Sequence, residues 1–305
     1  MQEESQTYSD DKISRLRELL DLVDDSELSS IKSTVSELIR LINDPKSGAK
    51  DLKEVIQLDP PLSAKLLKLA NSAYYGFPRT IGDIQDAVVC VGFNELKELA
   101  LNQKISQIFV NESDEFAGYS RALLWKHCVS VAICGKLIYR RAFNDQGGTA
   151  YVAGLLHDIG IVIEDQFLLD SFFKILDEFG AGGGAISDIE TSVLGYDHTD
   201  IGNAIAVDWN FPDETAVAIH FHHTPDILDQ EEAVRLTCTL CLADIICNAE
   251  NLGFVESGEK DPGKYQYCLD KLNSSASTKL NEKNIAELVG EVKKSIARMK
   301  QAGWF

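Results

Sequence analysis

Positive charge is scarce in this 305-residue sequence: 29 Lys and Arg stand against 48 Asp and Glu, a formal net charge of -19. A field of that sign repels phosphate backbones and anionic membrane surfaces. The densest basic clusters, Arg140-Arg141 and Lys293-Lys294, are short and read as solvated helix ends. Nucleic acid is thereby excluded as the expected partner. Long apolar runs are missing too. Nowhere do about 18 uncharged apolar residues run together, as a membrane-spanning helix requires, and the opening MQEESQTYSDDK is acidic where a secretory leader is apolar. A cytoplasmic protein with no membrane contact is expected. The chain also lacks apolar-polar alternation and Asn-Gly hairpin signals, which argues against strands. No internal repeat of fixed length is present. GAGGG at 180–184 has neither a preceding strand nor a following Gly-Lys-Ser/Thr, so it reads as an interhelical loop and not a phosphate cradle. The seven cysteines are an odd number spread over a large chain, a poor disulfide framework. Cys238 and Cys241 form a CxxC near Cys247, but inside the helical run VRLTCTLCLADII they read as buried free thiols.

What remains is helical periodicity. Ile13, Leu16, Leu19, Leu20 and Val23 share one face of a lead-in helix, and Ile31, Val35, Leu38, Ile39 and Ile42 repeat the pattern up to Asn43-Asp44-Pro45. A short helix follows over Leu52, Val55 and Ile56. Asp59 is a good N-cap, Pro60 suits the first helical position, and Leu62, Leu66, Leu69 and Ala73 line one face. IGDIQDAVVCVGFNELKELALNQKISQIF predicts two helices broken at Gly92, making five or six before residue 111. The polar NESDEFAGYS reads as a joint between lobes. RALLWKHCVSVAICGKLIYRRAF and TAYVAGLLHDIGIVIEDQF each predict one long helix, and further helices are expected over 186–195, 198–209, 213–222, 232–250, 262–273 and 282–300. The fold class is all-α. Its expected parts are a lead-in helix at 1–27, an N-terminal helical lobe at 28–111, a second lobe at 112–250 and a helical extension at 251–305. The terminal Trp304-Phe305 is left to pack on the body or to meet a partner.

There are only six histidines, all between residues 127 and 223. Their order with two aspartates is His127, His157-Asp158, His198, His222-His223, Asp244. That is the donor set a dinuclear site demands of separate helices, because imidazole nitrogen and carboxylate oxygen suit iron, manganese, zinc or nickel. A carboxylate beside a histidine can bridge two ions while the histidine holds one. His220 falls outside the pattern. Asn71-Ser72 reads as a helix stop.

This arrangement resembles the HD superfamily, whose metal ligands are an early histidine, a His-Asp pair and a final aspartate. The resemblance implies that His127, His157, Asp158 and Asp244 hold one ion. It implies that Asp158 bridges to a second, held by His198, His222 and His223, as in two-metal members such as the HD-GYP phosphodiesterases. Over 28–250 the sequence resembles the HDOD branch: NDPKSGAKDLKEVIQLDPPLSAKLLKLANSAYYG, LLWKHCVSVA, AGLLHDIG, GYDHTDIGNAIAVDWNFPDETAVAIHFHHTP and LADII occur in order. That branch implies an HD-like helical fold with an N-terminal helical lobe, and a bacterial regulatory role without an assigned catalytic activity. The HD-GYP lysine after His-Asp and the Gly-Tyr-Pro loop after His-His are missing from HDIGIVIEDQ and HHTPDILDQE, and position 123 is leucine rather than a further carboxylate.

The expectation is therefore a signal-transduction module with a pair of divalent transition-metal ions (Fe, Mn, Zn or Ni), acting on a signalling protein supplied in trans. The alternative is a metal-dependent phosphohydrolase acting on a nucleotide or cyclic dinucleotide, with Asp158 as its catalytic residue.

Overall fold

The computed structural model describes residues 2–72, 75–109, 116–182, 184–229, 231–254 and 261–301, with the side chains of 2–10 and of 232 outside the description. Ala73, the 111–115 part of the joint and Trp304-Phe305 lie outside the described residues. Among those described, every regular element is a helix.

Six helices precede residue 111: α1 (Gln2–Asp24), α2 (Ser29–Asn43), α3 (Ala49–Gln57), α4 (Pro60–Ala70), α5 (Ile84–Val91) and α6 (Phe93–Ile105). Local chemistry sets their ends. Asp59 caps α4, its carboxylate accepting from the Leu62 amide at 2.9 Å, and Asp83 caps α5 through the Asp86 amide at 2.8 Å. Gly92 separates α5 from α6 at φ 101°, a backbone conformation that glycine reaches without a Cβ penalty. Asn71 stops α4 and holds the chain beyond it: its amide donates to the Leu67 and Ile81 carbonyls at 2.8 and 2.9 Å and accepts from the Ile81 amide at 2.7 Å. α1 lies on the second half of the molecule, burying Leu19 and Val23 and pairing Lys12 with Asp200 at 2.7 Å.

Asp59 also accepts from Lys104 of α6 at 2.7 Å. Burial alone raises its pKa, but the bonds from Lys104 and the Leu62 amide outweigh it and hold the carboxyl below its ordinary value. A depressed carboxylate pKa stabilises the fold above the unfolded-state value of about 3.9, and this contribution is lost as pH falls through the folded-state value. Asp59→Ala is expected to cost about 2 kcal/mol at pH 7, cap and ion pair together. Urea midpoints of variant and wild type should converge as the pH is lowered through the depressed folded-state value; a difference that stays constant down to the acid transition rules out the charge as the cause.

The second half starts with α7 (Arg121–Phe143), capped by Ser120, whose hydroxyl accepts from the Leu123 amide at 3.2 Å. α7 is long and apolar enough by composition to cross a membrane, but 67% of its most apolar window is buried inside the fold. It packs most extensively on α8 (Gly148–Leu156) and α14 (Glu231–Ala249). Between these run α9 (Ile159–Phe167), α10 (Leu169–Gly180), α11 (Ile186–Leu194), α12 (His198–Asp208), α13 (Asp213–Phe221) and a single 3-10 turn (Pro225–Ile227). α15 (Pro262–Ser275) packs on α14 and α16 (Glu282–Gln301) on α7. Six of the seven cysteines are buried free thiols and Cys90 is partly buried, as the sequence predicts.

Two expectations are corrected. The segment from Thr149 to Phe167 is not one helix: it breaks at His157-Asp158, where Asp158 has φ -103° and ψ 20°. Adjacent side chains on an unbroken helix diverge by about 100°; the break turns both residues of the pair into one interior point. α10, which the sequence reading passed over, buries Phe172, Ile175 and Leu176 on one face.

Candidate metal centre

Each expected ligand is delivered by a helix end or a buried helix face. His157 follows the last residue of α8 and His222 the last residue of α13, and both make the same local contact. His157 Nδ1 lies 2.9 Å from the Gly154 carbonyl and His222 Nδ1 2.7 Å from the Ile219 carbonyl. A carbonyl only accepts, so each Nδ1 carries the proton and each Nε2 is left facing inward as a lone-pair donor. His198 is the first residue of α12 because Asp197 caps that helix, accepting from the Thr199 and Asp200 amides at 2.9 and 3.1 Å. His127 is on the buried face of α7, and Asp244 faces it from α14.

The chain brings all seven together. His127, His157, Asp158, His198 and His222 have no exposed surface, and Asp244 is 5% exposed. Asp158 stands at the middle. Its Oδ2 is 3.0 Å from His157 Nε2 and 3.7 Å from His127 Nε2, while its Oδ1 is 3.7 Å from His222 Nε2 and 4.0 Å from His198 Nε2. His127 Nε2 is 3.0 Å from Asp244 Oδ1, and His198 Nε2 is 3.1 Å from His223 Nε2. Two donor groups result, His127 with His157 and Asp158, and His198 with His222 and His223. His220 stays outside, 3.9 Å from Asp200.

The donor set fits metal ions. Ligand atoms about 2.1 Å from one ion are separated by roughly 3.0–3.4 Å at octahedral or tetrahedral angles, and the spacings above bracket that range. In the structure as it stands, burial by itself pulls the His127 pKa down. The hydrogen bond and charge of Asp244, with the charge of Asp158, outweigh burial and raise it.

Sequence reasoning missed the shell behind the ligands. Glu190 of α11 accepts from the His198 backbone amide at 2.9 Å and lies 2.6 Å from its Nδ1, fixing the proton there and turning Nε2 toward Asp158. Glu164 of α9 is fully buried beside it; burial first, then the charge of Glu190, pushes its pKa well up. Asn248 donates to Asp244 Oδ1 at 2.8 Å. A glutamate in the apolar run IGIVIE was the one legible sign of this shell.

Known proteins share this architecture. A protein of Geobacter sulfurreducens described as an HDOD domain protein of unknown function superposes with a TM-score of 0.77, at 24% identity over 96% of this chain and 98% of its own. A candidate phosphohydrolase of Shewanella amazonensis SB2B gives 0.62 at 26% identity, over 94% and 95% of the two chains. An uncharacterized protein of Treponema pallidum (strain Nichols) is 28% identical over 207 residues, 67% of this chain; the chain spans 39% of that relative's length. The HDOD domain profile matches residues 28–225, stopping short of Asp244, which the fold alone brings to the site. That match covers well over half of the sequence, and the chain belongs to the HDOD domain family.

Proposed function

We propose that the chain is a signal-transduction module built around two divalent transition-metal ions. His127, His157, Asp158 and Asp244 hold one, and Asp158, His198, His222 and His223 hold the other. The observation that carries this reading is the division of Asp158, one carboxylate oxygen facing each histidine group. When bound, the ions supply the cross-link between α7, α8, α12, α13 and α14 that these side chains are aligned to make. The module acts through contact with a protein partner and not by turnover. The residues after the His-Asp pair support this: Ile159, Ile161, Val162 and Ile163 are buried and apolar, where a phosphoryl-transfer site places a cation against developing charge.

The similarity to the Shewanella candidate phosphohydrolase favours a second reading, hydrolysis of a phosphoester in a nucleotide or cyclic dinucleotide. Here Asp158 positions the ions and Glu190 keeps His198 oriented.

Elemental analysis of the purified protein, combined with anomalous scattering from crystals, tests the metal assignment. Two equivalents of metal on the named ligands are expected; protein that stays below about 0.2 equivalents after metal loading contradicts it. Incubation with cyclic dinucleotides and nucleotides under Mn, Fe, Zn and Ni separates the readings. No turnover is expected. Turnover that disappears in Asp158→Ala establishes the hydrolase instead.

A further inference from the structure

A cleft of about 480 Å³ lies away from the metal ligands, between the end of α2, the start of α6 and the start of α8. Its size is that of a small-ligand pocket. Lys97, only 5% exposed, stands in its wall. The ammonium donates to the Leu41 carbonyl at 2.9 Å and approaches the Ser47 hydroxyl at 3.5 Å, both uncharged. It also lies 4.4 Å from the centre of the Phe93 ring, and among the described residues no carboxylate comes within ion-pair distance of it, Glu98 and Asp44 acting only at longer range. Burial accordingly lowers its pKa.

Two further observations meet in the same cleft. Asn43 accepts from the Thr149 hydroxyl at 2.9 Å, but its buried Nδ2 has no acceptor. Gly148 and Thr149 open α8 in the cleft wall, and that helix has no side-chain cap. A lysine with no carboxylate at ion-pair distance, an amide donor without an acceptor and an uncapped helix N-terminus together favour an anion.

The acids nearby narrow its chemistry. Asp44 and Asp145 also line the cleft, each holding one backbone amide, those of Lys46 at 2.8 Å and Gly147 at 2.7 Å. Their charge disfavours a dianion such as phosphate and suits a ligand that carries an ammonium beside its carboxylate. We propose that this cleft binds a free α-amino acid, its carboxylate on Lys97 and the first turn of α8, its ammonium toward Asp44 and Asp145.

The cleft also has a place in the working of the module. α8 begins there and its nine residues end at Leu156, directly before His157, so one rigid element about 13 Å long joins cleft and metal centre. Occupancy at one end can bias the other. This link rests on the functional reading above, whereas amino-acid binding does not.

The test uses the full chain stripped of metal, so that it is independent of the metal assignment. Each common L-amino acid is titrated by calorimetry, followed for any binder by its decarboxylated amine, its deaminated acid and inorganic phosphate. At least one amino acid is expected to bind with a Kd of about 1 mM or tighter, and the amine and deaminated acid at least about tenfold more weakly. Lys97→Met should weaken binding about tenfold or more. Thr149→Asp, which places a tethered carboxylate at the same helix end, should do so while leaving the melting temperature at or above wild type. If Lys97→Met does not fold, Thr149→Asp decides. The proposal is overturned if no amino acid binds at about 10 mM, if phosphate or the deaminated acid binds as well as the amino acid, or if a folded variant keeps wild-type affinity.

Discussion

Gly160→Ala is expected to leave little or no folded protein. A Cβ at this position would sit 2.0 Å from the His198 carbonyl oxygen and 2.7 Å from its carbonyl carbon, and both are backbone atoms that cannot rotate aside. The first turn of α9 would have to move away from the start of α12. We expect a cost on the order of 4 kcal/mol or more, above the usual range for overpacking, because the obstacle is main chain at both partners. That is a large part of the stability of an ordinary domain. The contact is also what delivers His198 to the Asp158 side of the site, so any folded remnant should lose the His198 group of ligands first. Soluble yield, thermal melting and metal content read this out. A variant that melts with the wild type and keeps two equivalents of metal shows that the two backbones do not meet as closely as described.

Asp158→Asn is expected to reduce bound metal from two equivalents to at most one. The substitution preserves volume and removes a carboxylate whose two oxygens face the two histidine groups, the only one to do so among the described residues. An amide carries no charge and its NH2 group cannot ligate, so one of the two positions loses its anionic donor. At free metal a thousand times its dissociation constant, each bound ion adds about 4 kcal/mol to folding stability. The gap in melting temperature between metal-loaded and chelated protein should therefore shrink by at least half. In contrast, Asp244→Asn should affect the His127 group, since Asp244 pairs with His127 at 3.0 Å. Retention of two tightly held ions in Asp158→Asn would falsify the bridging role.

Helix positions were legible wherever a local signal marks them. Asp59-Pro60 announces the start of α4 and Gly92 the division between α5 and α6, because caps and positive-φ glycines act over a few residues. α10 was legible too: Phe172, Ile175 and Leu176 recur at helical spacing. The break at His157-Asp158 was not. GLLHDIGIVI has no proline, and the close approach of Gly160 to the His198 backbone at the start of α12, some forty residues away, is a contact that no local signal records.

The site divides in the same way. The five histidines and two aspartates could be named as a set from residue type, scarcity and order, and the family resemblance sorted them into two groups. Glu190 could not be found, because nothing in ISDIETSVL distinguishes it from Asp188 or from an exposed glutamate. Only its burial against His198 does so.

Composition and order along the chain were enough to settle an all-helical protein and the candidate ligands, since periodicity, capping and donor chemistry are properties of short segments, while the HDOD family came from the resemblance of its motifs. Which oxygen of Asp158 faces which histidines, the two glutamates behind His198, and the burial of Lys97 in its cleft were decided by tertiary structure alone. Each depends on distances between residues remote in sequence, and these exist only once the helices have packed.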